Sequence, residues 1–159
     1  LRHRPGKERF TEAFNLFKGD VFRVAYSYLR SKEAAEDVVG DVFLDYYLHG
    51  VRDESNLKGY LVSAAVHRSL NVLKRERRGR EIVREAGPIN EEERPSLDYE
   101  PLYEALSELP EDYGEPIRMF YFASMSVSEI SRALSISEDA AKKRLERGRG
   151  MLREALKDK

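Results

Sequence analysis

The 159 residues are 41% apolar and 36% charged, with no cysteine and a formal net charge of −1. That length supports one core or two small ones, the missing cysteines exclude disulfides and thiolate metal sites, and bulk charge directs the chain to no partner. No window has the length and apolarity of a membrane span and the basic N-terminus lacks an apolar signal core, so the expectation is a cytoplasmic protein without membrane insertion.

Leu1 to Lys7 reads as a frayed basic lead containing Pro5-Gly6. From Glu8 the pattern is helical, with Phe10, Phe14, Phe17, Val21, Val24 and Tyr28 on one side. Ser31 can cap a second helix, in which Ala35, Val38, Val39, Val42, Phe43 and Tyr46 repeat at threes and fours. Its other face shows Glu36, Asp37, Asp41 and Asp45, and His49-Gly50 ends it. A polar loop, Gly50 to Asn56, precedes a long helix from Leu57 to about Arg78, with Leu61, Ala65, Leu70 and Leu73 inward. That helix ends in Lys74-Arg75-Glu76-Arg77-Arg78. No stretch alternates as a strand does.

Residues 79–100 change character. They hold 3 Lys and Arg against 7 Asp and Glu, where residues 1–78 hold 15 against 11. With Gly79, Gly87, Pro88, Pro95 and the run Glu91-Glu92-Glu93, they bury too little to order themselves and read as a linker. The fold class is therefore all-α: a three-helix domain over 1–78 and a second helical domain over 101–159, weakly coupled through the linker.

In the second domain Leu102, Leu106 and Leu109 resume the helical pattern. Pro110 suits the first position of a further helix, with Ile117, Phe120 and Tyr121 inward and Pro116 removing one backbone hydrogen bond. Ser126 and Glu129 form a capping box ahead of Val127, Ile130 and Leu134. Ser137 caps a last helix with Glu138 and Asp139 in its first turn. Ala141, Leu145, Gly148, Leu152 and Leu156 make its inward stripe, and Lys142, Lys143, Arg144, Arg147 and Arg149 its basic side. A short helix, a tight turn and a longer basic helix are the grammar of a helix-turn-helix whose second helix enters a major groove.

Taken together, Asp37-Val38-Val39-Gly40-Asp41-Val42-Phe43-Leu44, then Asn56-Leu57-Lys58-Gly59-Tyr60-Leu61, then Leu109-Pro110-Glu111, then Ser128-Glu129-Ile130 through Leu145-Glu146-Arg147-Gly148-Arg149 resemble a bacterial RNA polymerase sigma factor of the extracytoplasmic-function (ECF) class. The resemblance runs from about Glu8 to Leu156. It implies a first domain (1–78) that binds the clamp helices of core RNA polymerase and opens the minus-ten element. It implies a linker (79–100) along the RNA path, and a second domain (101–159) that reads the minus-thirty-five element and touches the flap. Carried over by position, Glu36, Asp37 and Asp41 are the clamp-binding residues. Arg52, Asn56, His67, Arg68, Asn71, Lys74 and Arg75 face minus-ten DNA, where the loop traps a flipped-out base. Ser137, Glu138, Lys142, Lys143, Arg144 and Arg147 face minus-thirty-five DNA. The partners implied are core polymerase, promoter DNA and an anti-sigma factor, with no cofactor and no metal. The chain departs from the family pattern at Gly40 (usually Gln), Val66-His67 (often Arg-Asn), Asn71 (often Asp) and Ser135 (often Gly).

Two other readings fit parts of the pattern. A helix-turn-helix regulator with a helical sensor domain would need a ligand pocket within residues 8–78. A sigma-like protein that binds an anti-sigma factor without opening promoters would explain Val66 and His67. An enzyme is not indicated, since His3, His49 and His67 lack metal-ligand spacing and there is no phosphate-cradling glycine loop.

Overall fold

The computed structural model describes residues 1–82 and 99–157; the expected linker lies mostly outside the described residues. Seven α-helices order those residues: α1 (Lys7–Leu29), α2 (Lys32–His49), α3 (Leu57–Ile82), α4 (Glu100–Glu108), α5 (Glu111–Phe122), α6 (Val127–Leu134) and α7 (Glu138–Leu156). The described residues contain no strand, only an isolated antiparallel bridge between His3 and Val51.

Local chemistry sets the helix ends. Ser31 Oγ accepts from the Ala34 amide at 3.1 Å and starts α2. Gly50 stops it at φ +70°, ψ −166°, a region open to glycine. Ser126 and Glu129 form both bonds of the capping box, each 3.0 Å. Ser137 Oγ caps α7 by accepting from the Ala140 amide at 3.0 Å. α3 runs four residues past the expected end at Arg78, and Pro110 is the N-cap of α5 rather than its first helical residue.

α1, α2 and α3 enclose a first core built on Val21, Phe43, Tyr46 and Leu61, with Phe10 and Phe14 packed on it. The Phe14 and Phe43 rings meet edge to face at 5.1 Å. In the second half, Leu106, Ile117, Met119, Ile130, Ala141 and Leu145 are buried together. Gly148 lets α7 approach α5 closely, since a Cβ there would lie 2.7 Å from Ile117 Cγ1.

Three further expectations are corrected. The segment ahead of α1 is not frayed: His3 exchanges backbone hydrogen bonds with Val51 at 2.8 and 3.2 Å. Tyr121 faces solvent, 54% exposed, because Arg118 and Met119 occupy the buried side of α5. Most consequentially, the two halves are not loosely tethered. Val24, Tyr28, Val62 and Val66 of the first half belong to the same buried cluster as Leu106, Ile117 and Met119 of the second. Each fully buried side chain of this kind stabilises by about 1.5–3 kcal/mol over exposure. Val62 and Val66 stand one position beyond the Leu61–Ala65 stripe, so they widen the apolar face of α3 towards the second half.

Candidate nucleic-acid and partner interfaces

The outer face of α2 is acidic and apolar together. Glu36, Asp37 and Asp41 are exposed, and among the described residues none forms a hydrogen bond or ion pair. Residues four apart share a helix face, so Glu36, Gly40, Leu44 and Leu48 line one stripe beside them. Leu44 and Leu48 are 56% and 46% exposed. Gly40 is exposed, and a Cβ there would meet nothing within 4 Å. It borders a groove of about 570 Å³ between α1 and α2, walled by Phe14, Phe22 and Val39 with Glu36 and Arg23 at its edge. Leu44 and Leu48 were missed as surface residues, although their position four and eight residues beyond the exposed Gly40 is a usable signal.

The loop between α2 and α3 is held from below. Glu54 accepts from Tyr46 Oη at 2.8 Å and Arg9 Nε at 3.2 Å. Burial first, then this carboxylate, pushes the Tyr46 phenol up to about 12. Asp53 caps a short 3-10 turn, accepting from the Ser55 amide at 3.0 Å and its hydroxyl at 2.6 Å. Those bonds hold the Asp53 carboxyl below its ordinary range. Arg52 and Asn56 line a pocket of about 270 Å³ in this loop. On α3, His67, Asn71, Lys74 and Arg75 are exposed and Arg68 is half-buried. Val66 points elsewhere: it is 1% exposed and sits in the cluster shared by the halves. An arginine at that position would be desolvated there, which accounts physically for the valine.

In the helix-turn-helix, Ala141, Leu145 and Gly148 face the core, leaving Lys142, Lys143 and Arg147 exposed and Arg144 half-buried. Arg144 lies near Glu115, whose carboxyl burial and the neighbouring Glu111 push up to about 7 against the pull of Arg144. Glu138 is exposed in the first turn, and the Ser137 oxygen is engaged by the cap. Ser135 closes the turn at φ +55°, ψ +44°, a strained left-handed conformation for a residue with a Cβ.

Between the halves charged side chains make hydrogen bonds and ion pairs that cross from one half to the other. Arg118, 3% exposed, donates from Nε to Ser27 Oγ at 3.0 Å and lies 3.8 Å over the Tyr28 ring. Tyr28 Oη donates to Glu111. Burial raises the Tyr28 phenol and lowers the Arg118 guanidinium. Arg23 Nε and Lys58 Nζ donate to the carbonyls of Phe122 and Ser124 at 2.8 and 3.2 Å. Arg30 holds Glu100 at 3.0 Å, and Arg132 of α6 reaches Asp53 at 3.6 Å.

This is a two-domain helical protein of sigma-70 type: residues 13–79 match Sigma-70 region 2, and residues 99–152 match Sigma-70, region 4. The chain belongs to the bacterial RNA polymerase sigma factors of the ECF class, which bind core polymerase and direct it to promoters. It is 27% identical over 149 residues to ECF RNA polymerase sigma factor SigM of Bacillus subtilis (strain 168), covering 89% of this chain and 91% of that protein. It is 25% identical over 142 residues to RNA polymerase sigma factor SigV of the same organism, covering 86% and 84%. The fold is similar to CnrH in its complex with the cytosolic domain of CnrY, with a TM-score of 0.73 and 18% identity over 96% of this chain and 90% of that one. It is also similar to the sigma factor RpoE from Bartonella quintana in its complex with the anti-sigma factor NepR, with a TM-score of 0.68 and 21% identity over 93% and 96%. No described helix is long and apolar enough to cross a membrane.

Proposed function

We propose that this chain rests with its halves packed together and separates them when core polymerase engages both. The observation that carries this is a contrast in how charges are satisfied: the acidic stripe on α2 and the basic side of α7 are turned to solvent, while the charged groups between the halves are hydrogen-bonded or ion-paired across them. In this reading Glu36, Asp37 and Asp41 meet a basic surface of the polymerase clamp, with Leu44 and Leu48 supplying the apolar part of the contact. Arg52, Asn56, His67, Arg68, Asn71, Lys74 and Arg75 meet the minus-ten element. Ser137, Glu138, Lys142, Lys143, Arg144 and Arg147 meet the minus-thirty-five element.

Scale supports separation. The two elements lie about 25 base pairs apart by their names, or ~85 Å at ~3.4 Å per pair. A compact body of this chain length is about 40 Å across. The residues between Ile82 and Glu100 can reach ~60 Å when extended, enough to carry the second half to its element. The packed arrangement suits capture by an anti-sigma factor, the kind of partner named in the RpoE complex, and the reading places the chain in the cytoplasm, acting by binding rather than by catalysis.

The test is a transcription assay with purified core polymerase and a promoter library. The reading expects core-dependent initiation from a subset sharing both elements. DNA binding by the chain alone with equal strength, and no effect of the chain on core polymerase, would favour a free-standing regulator instead.

A further inference from the structure

The segment ahead of α1 is built into the loop expected to receive a minus-ten base. Gly50 is what admits it: a Cβ there would lie 2.0 Å from the His3 carbonyl oxygen and 2.5 Å from the Arg4 amide nitrogen. Two backbone hydrogen bonds between His3 and Val51 fix the register. The consequence falls on Arg2, whose guanidinium is carried 5.7 Å above the Tyr60 ring. Tyr60 is itself anchored, its hydroxyl donating to Asp45 Oδ2 at 3.0 Å. Arg2, Val51, Arg52, Asp53, Asn56 and Tyr60 together line the pocket of about 270 Å³.

The chemistry of this lining is specific. Tyr60 offers a flat aromatic wall. Asn56 offers a donor and an acceptor on one amide, and Gly59 leaves room for it, since a Cβ there would come within 2.8 Å of Asn56 Oδ1. Arg2 and Arg52 offer guanidinium groups, which stack on planar rings and pair with phosphates. A planar, hydrogen-bonding ring attached to an anion answers all three, and that is a nucleotide of single-stranded DNA. The pocket is at the small end for ligand sites, which suits one base.

We propose that Arg2 is part of the single-strand binding site, covering the outer face of a promoter base that enters the pocket against Tyr60. This rests on the minus-ten reading of the loop and adds a residue from outside the region matched to Sigma-70 region 2, which begins at residue 13. In the free chain Arg2 lies over the tyrosine; on entry of the base it moves outward and closes on the base instead. The segment ahead of α1 acts as the cover, its backbone held at His3 and its Arg2 side chain turned over Tyr60.

The experiment measures the affinity of the polymerase holoenzyme for a fluorescent single-stranded minus-ten oligonucleotide selected by the promoter library. Arg2→Ala is expected to weaken it about tenfold, the effect of losing one cation–aromatic contact with a base. An abasic site at the bound position should make Arg2→Ala and the parent equal. Arg2→Lys should restore less than half of the lost affinity on a logarithmic scale, since an ammonium does not stack. Equal affinity of Arg2→Ala and the parent, while Tyr60→Ala weakens binding, would overturn the role of Arg2 and leave the minus-ten reading intact. Full rescue by Arg2→Lys, or an unchanged Arg2→Ala effect on the abasic strand, would overturn the covering role. If the parent holoenzyme prefers no single-stranded sequence, the minus-ten reading of the loop fails first and the proposal with it.

Discussion

Arg118 and Asp37 are both charged residues on exposed-looking helical sequence, and the structure treats them oppositely. Arg118 is buried between the halves with Ser27, Tyr28 and Glu111 around it, whereas Asp37 faces solvent beside Asp41 with no partner among the described residues. The seam satisfies its charged groups with hydrogen bonds, ring contacts and ion pairs; the outer faces of α2 and α7 keep like charges adjacent. Like charges at helical spacing repel by a few tenths of a kcal/mol, so those faces carry a small standing cost that a partner of opposite sign removes. Charged groups at the seam are bonded within the chain, and those outside it are open to a partner, which on the proposed function is polymerase or DNA.

Reversing the outer charges should have the largest effect. Asp37→Arg or Asp41→Arg is expected to abolish core polymerase binding in a pull-down while leaving the melting midpoint of the free chain nearly unchanged, because exposed substitutions cost within about 0.5 kcal/mol. Loss of the fold in either variant would show that the carboxylate belongs to the structure.

At the seam, Arg118→Ala should destabilise the free chain by on the order of 3 kcal/mol, since it empties a buried site and strands the polar groups around it. Val66→Arg should drive the halves apart by forcing a guanidinium into the shared cluster. Both should speed proteolytic cleavage between residues 79 and 100, with two folded pieces remaining. Unchanged cleavage and stability would show that the seam does not hold the halves together.

On α7 the expected effects are smaller and divide by kind. A base-edge contact is worth about 1–3 kcal/mol against one wrong pair, whereas a phosphate contact weakens every sequence alike and lowers the salt slope by about one. Lys143→Ala and Arg147→Ala, compared over several promoters and salt concentrations, will separate the two kinds. No change at any promoter would take α7 out of the reading surface.

Glu115 gives the seam's neighbourhood a pH dependence. Its folded value is raised to about 7 from an ordinary 4.5, so the folded chain holds a proton that the unfolded chain has released. Stability therefore falls as pH rises through that window, by on the order of 1–2 kcal/mol once solvent screening of a half-buried group is allowed for. Denaturant titrations at pH 5 and pH 7 should show the decline, and Glu115→Gln should flatten it. The smallest effects are local to the backbone. Ser135→Gly should stabilise by about 0.5–1 kcal/mol by relieving the left-handed turn, and Gly40→Ala by about 1 kcal/mol, the helical cost of glycine where a methyl group has open space.

Most of the helical layout is legible in the sequence because its signals are local. Ser31, Ser126 with Glu129, and Ser137 act within three residues, and the Ala141–Leu145–Gly148 stripe needs only the helical period. The seam is not legible in that way. Val62 and Val66 are visibly apolar, but nothing near them in sequence says that Ile117 and Met119 will cover them. Arg118 reads as a solvent residue because the groups that satisfy it, Ser27 and Tyr28, are about ninety positions away. The docking of His3 on Val51 is hidden for the same reason. His49-Gly50 does stop a helix, yet the room that Gly50 leaves for a distant backbone appears only in three dimensions.

On the proposed function the free chain is closed at the seam and opens on core polymerase, a change of distance that can be measured directly. The chain has no cysteine, so Glu33→Cys and Glu146→Cys, both at exposed positions, allow a dye pair to be attached across the two halves. Energy transfer should be high in the free protein and fall sharply when core polymerase is added, with Val66→Arg already low before addition. Transfer that is equally low in the free parent would show that the halves are not packed together in solution, and transfer that stays high in a transcribing holoenzyme would show that they do not separate on core polymerase.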